Sequence, residues 1–277
     1  MTSIISAMSP TQVAALTTKQ IGGLATSDIA ALSTAQAQAL TTSQIAALST
    51  SDVVSISTAA IAALNNSQIN ALSAKDVASL TTTQVGALTT GQVGALTTTQ
   101  VASLTTSQIG ALTTGTTGQV ASLTTNQIGA LTTAQASALT TTLLGSMSTA
   151  QRQAISTKEI AALSTTQVSS LTTTQVADLT TGQVAALTTA QAGALTTAQI
   201  GTLTTGQLNA LSTKDIASLT TAEIGALTTG QVSSLTTTQV ASLTTSQIGA
   251  LTSGATGQVA SLTTGQIGAL KIGRAHV

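Results

Sequence analysis

An eight-residue period governs this chain. Leu80, Leu88, Leu96, Leu104 and Leu112 recur every eight residues, and Val85, Val93, Val101 and Ile109 each follow five residues after one of them. The unit reads L-T-T-x-Q-V/I-x-A. Its register holds from Met8 to Leu112, passes through an eleven-residue unit ending at Leu123, and resumes to Leu251. A second eleven-residue unit reaches Leu262 and one more octad reaches Leu270, thirty-two units in all. A chain so built must repeat one local structure and bury it against its neighbours, as repeat proteins do.

A longer period lies over the short one. Met8 matches Met147, Lys19 matches Lys158 and Asp76 matches Asp215, each pair 139 residues apart. Residues 1–270 therefore read as a single array of two 139-residue blocks, joined near 139–147. Three-residue insertions at 113–115 and 252–254 are expected to bulge as loops.

Two local structures compete for the octad. A continuous α-helix is a poor fit, because eight residues advance about 800° and the apolar stripe never forms a face. One short helix per octad fits well. With the first Thr or Ser at the N-cap, Gln falls three residues on and completes the capping box, as at Gln84, Gln92 and Gln100. Leu and the Val or Ile five residues later have the spacing of a hydrophobic staple. Six of the seven acids (Asp28, Asp52, Asp76, Glu159, Asp215 and Glu223) replace that Gln, where negative charge suits a first helical turn. Pro10 falls at the first helical position and Asn65 at a cap. The predicted fold is thus all-α, a solenoid of very short capped helices. The alternative is a β-solenoid with two octads per coil, favoured by the Thr, Val and Ile content. The 24-residue spacing of Asp28, Asp52 and Asp76 hints at three units per turn.

Composition then limits function. There is no Phe, Tyr, Trp or Cys, only 5% of residues are charged, and 42% are hydrophobic. A core must come from Leu, Ile, Val and Ala. Hydroxyls abound, but a nucleophilic Ser or Thr needs a base beside it, and the one histidine, His276, lies in an aberrant tail. No enzyme and no cofactor is expected. Acids occurring at most once per unit, each with a capping role, do not make a calcium site. Without a basic stripe or aromatics the chain lacks the means to hold nucleic acid. The longest apolar run, 59–64, is far short of a membrane span. Lys19, Lys75, Lys158 and Lys214 precede the Gln, Asp or Glu position and read as a solvated face. Leu143 replaces one capping Gln, and Arg152 replaces a residue expected to be buried. Arg152 reads as a snorkelling side chain or a loosened unit, with a partner-binding notch as the other possibility.

Residues 271–277, KIGRAHV, break period, composition and register together and resemble the translation of a sequencing adapter. They are expected to be a non-native tail, whose removal leaves five cations and seven acids. The octad itself resembles Thr/Ala-rich short repeats of very large bacterial secreted and surface proteins, adhesin-like ones among them. That resemblance spans residues 8–270. It implies a structural spacer or stalk at the cell surface or outside it, although no secretory leader is visible in MTSIISAMSP. The partners expected are neighbouring repeats or further domains of the same chain. The alternative is a repetitive Thr surface that binds ice or a polysaccharide.

Overall fold

The computed structural model describes residues 3–274, with the backbone alone from 271 onward. Among the described residues there are thirty-one α-helices, two short 3-10 turns and no strand. The β alternative is overturned. Its Thr and Val content is satisfied another way, because Thr sits at helix N-termini and Val points into the core.

One helix corresponds to one octad, and most are four to six residues long, for example Thr82–Ala87, Thr90–Ala95 and Thr98–Ser103. Such helices end without glycine. Leu88 lies at φ −59°, ψ 139° and the following Thr89 at φ −70°, ψ 158°. Two extended residues therefore make each corner, and Thr89 caps the next helix at once. Only Gly115 and Gly254 take positive φ among the described residues.

Within each of the two compact units, a helix packs on the third one after it. Pro10–Ala14 meets Thr34–Ala39, Thr18–Ile21 meets Thr42–Ala46, and Thr26–Ala30 meets Thr50–Ser55. The offset continues through Met1–Ala154 and again within Ile155–Val277, the two compact units of the chain. In each unit, three octads complete one coil. The Val or Ile and the Leu of most octads point inward, with Val85 at 0% and Leu88 at 5% exposed, whereas Val259 and Ile267 are exposed. The position after the Val or Ile lies close to the next coil in some octads, although Val54 and Asn70 occupy it in others. A Cβ on Gly22 would lie 3.1 Å from the Ala47 carbonyl, and one on Gly94 would lie 3.0 Å from that of Ser122.

The eleven-residue units keep their cap across a longer gap. Thr113 Oγ1 accepts from the Gln119 amide N–H, six residues on, at 3.0 Å, and Gln119 Oε1 accepts from the Thr113 N–H at 3.0 Å. Residues 113–117 are exposed. Sequence alone would place the cap at Thr116, three residues before the Gln, but Thr113 takes it. The helix Thr264–Arg274 runs past the last octad. His276 lies outside the described residues.

Candidate functional site

The polar chemistry of this chain is concentrated on one side chain per octad. In the helix Thr98–Ser103, Gln100 Oε1 accepts from the Thr97 N–H at 2.9 Å, and Thr97 Oγ1 accepts from the Gln100 N–H at 3.1 Å. That is the reciprocal capping box. The amide nitrogen of the same side chain turns the other way. Gln100 Nε2 donates to Ile69 O and Leu72 O, both 2.9 Å away, at the corner that ends an octad of the preceding coil. Gln84 likewise reaches Val53 O and Ile56 O, and Gln92 reaches Ile61 O and Leu64 O. One Gln therefore caps its own helix and ties two coils together. The capping half was visible in the S/T-x-x-Q spacing. The tie links residues 31 and 28 apart, a distance on which the octad pattern is silent.

Burial of this position follows the presence of a preceding coil. Gln12 and Gln20 form capping boxes but have no preceding coil, and both are exposed. Gln36 is the first to reach back, to Ile5 O and Met8 O, and it is buried.

The acids divide into two kinds. Asp52, Asp76, Glu159, Asp215 and Glu223 accept from the N-cap amide as Gln does. Asp28 does not, which corrects the expectation for that residue. Its N-cap is Ala25, which has no side-chain acceptor to offer, and Asp28 Oδ1 instead accepts from Ser3 Oγ at 2.7 Å and the Ile4 N–H at 3.1 Å. Arg152 is also corrected. It is only 6% exposed, so it neither snorkels nor offers a notch. Its guanidinium is turned inward and donates to Met147 O and Thr149 Oγ1.

Among the described residues no three His, Cys, Asp or Glu side chains gather to hold a metal, and no helix is long and apolar enough to cross a membrane. A shallow groove of about 720 Å³ is lined by Thr41, Thr42, Asn65, Asn66, Ser67 and Gln68. Its hydroxyls and amides have no basic group beside them.

The ALTTAQ repeat model matches eight overlapping segments, within 18–114 and 144–253, about three quarters of the chain. The chain belongs to the ALTTAQ repeat family. A search of curated proteins and a search of solved structures returned no match. In this chain each regular octad is one capped helix with its corner, and its Gln, where a coil precedes it, joins coil to coil.

Proposed function

We propose that this ALTTAQ array is a non-catalytic spacer or stalk within a larger protein at the cell surface or outside the cell. The observation that supports it is the fate of the Gln. The recurrent buried polar side chain is spent on capping and on tying coils together, so the octad repeats to extend a scaffold. A low surface charge and rows of exposed Thr fit an inert connector. Its partners would be the neighbouring repeats and further domains of the same chain. Recombinant arrays of one, two and three 139-residue blocks test the idea by small-angle scattering. The maximum dimension should grow by a constant increment per block. Collapse to a compact particle of constant aspect ratio would sink the spacer reading.

A second reading is supported by the second Thr of the octad. Thr82, Thr90 and Thr98 are exposed, and their hydroxyls have no hydrogen-bond partner among the described residues. Such rows could bind ice or a polysaccharide. Replacing this Thr by Ala in consecutive octads should abolish ice-recrystallisation inhibition or polysaccharide retention, and no activity in the parent array would rule the reading out.

A further inference from the structure

We infer that the first unit has a built-in seam, between the coil of Thr26–Ala30, Thr34–Ala39 and Thr42–Ala46 and the coil of Thr50–Ser55, Thr58–Ala63 and Asn66–Ala71, where that unit opens before it opens elsewhere in its interior.

 Among the described residues of that unit, each other pair of stacked coils is held by at least two buried glutamines, whereas this pair is held by one. The helices Thr50–Ser55, Thr58–Ala63 and Asn66–Ala71 stack on Thr26–Ala30, Thr34–Ala39 and Thr42–Ala46. Of the three residues that should reach back, only Gln68 does, to Ala37 O at 2.9 Å and Leu40 O at 2.6 Å. The other two positions hold Asp52 and Ala60. Ala60 has no polar group, and a carboxylate presents oxygen to carbonyl oxygens that need an N–H. No side chain among the described residues donates to the carbonyls of Leu24 and Leu32, where those two ties would end.

Two further observations fall on the same seam. Asp76, one coil further on, repeats the loss, so three of four successive octads lack the tie. A groove of about 350 Å³ opens along it between Thr26, Thr50, Ser51, Val54, Ser55 and Ser79, and Val54 is 41% exposed. The second block supplies a comparison within the same molecule. There the positions equivalent to 52 and 60 are Gln191 and Gln199, and both reach back, Gln191 to Ile160 O and Leu163 O and Gln199 to Val168 O and Leu171 O. In the second unit Asp215 and Glu223 also interrupt the ties, but Thr189 Oγ1 donates to Asp215 Oδ1 at 2.9 Å and closes that contact again. As a spacer the array would lengthen first at residues 49–72. That use rests on the proposed function, while the seam itself does not.

Hydrogen exchange on the full chain, read by mass spectrometry, tests the seam. Four missing hydrogen bonds correspond to exchange on the order of a hundredfold faster in peptides from 49–72 than in their counterparts from 188–211. The double variant Asp52→Gln, Ala60→Gln, which restores the residues of the other block, should bring the two segments level. The reverse variant, Gln191→Asp with Gln199→Ala, should make 188–211 exchange like 49–72. Equal protection of the two segments in the parent chain, or a difference that either variant leaves unchanged, would overturn the inference.

Discussion

A buried amide that both accepts and donates is worth more than its cap alone. At Gln100 the side chain accepts one bond at its own N-cap and gives two to the preceding coil, whereas at Gln12 only the cap bond exists and it faces solvent. The same substitution should therefore have unequal effects. Gln100→Ala removes the cap bond, takes the side-chain donor from the Leu72 carbonyl and leaves Ile69 O only its backbone donor, and is expected to cost about 2–4 kcal/mol. Gln12→Ala should cost about 0.5–1 kcal/mol, the range of a lost cap bond. Thr99→Ala, at an exposed position, should stay within about 0.5 kcal/mol. Denaturant titration of the three variants checks the order, and equal losses at Gln12 and Gln100 would contradict the tie. The cap was legible because its partners sit three residues apart. Asp28 misled because the acid was read without its partner, and residue 25 is Ala.

The helix itself is too short to persist alone, since nucleation outweighs the one or two backbone bonds it closes. What defines the element is therefore its two ends, a Thr or Ser cap and an extended Leu corner. The eleven-residue unit shows how tolerant that definition is. Thr113 and Gln119 still exchange their cap bonds, and Gln119 Nε2 still reaches Val85 O and Leu88 O, at 2.8 Å and 2.7 Å. The excursion leaves the coil unchanged at the price of two glycines. Gly115 sits at φ +98°, and a Cβ on Gly118 would lie 2.5 Å from the Thr114 carbonyl oxygen. Gly118→Ala must shift backbone and should lower the local melting midpoint, with a cost of roughly 1–3 kcal/mol. Deleting residues 114–116 joins Thr113 to Thr117 and leaves L-T-T-G-Q-V, a regular octad. That deletion should hold or raise stability by calorimetry, and a clear loss would show that the loop supports the coil. Sequence revealed the insertion, but not which Thr would serve as cap, because 113 and 116 both precede plausible residues.

At the scale of the whole array, the ties set how many octads can stand together. A Gln reaches the corner that ends the fourth octad before its own, as Gln44 reaches Val13 O and Leu16 O. The first four octads of any fragment therefore contribute none, and each later one adds a single tie. The 24-residue spacing of three acids hinted at the coil, and the stacking of each helix on the third after it bears that out. A fragment of three octads has neither a second coil nor a tie, so its apolar faces stay in water and it should be unfolded. Eight octads close four ties over nearly three coils and should give a helical circular-dichroism spectrum with a cooperative melt. Beyond that, each octad repeats the same interface, so the melting temperature should climb and then level off, as nearest-neighbour coupling requires. The expected threshold lies between four and eight octads because that is where ties begin to outnumber the coils they join. A sixteen-residue peptide, two octads, that folded as a monomer in water would show that the helices need no neighbour, and the coil-to-coil ties would then not be what holds the array together.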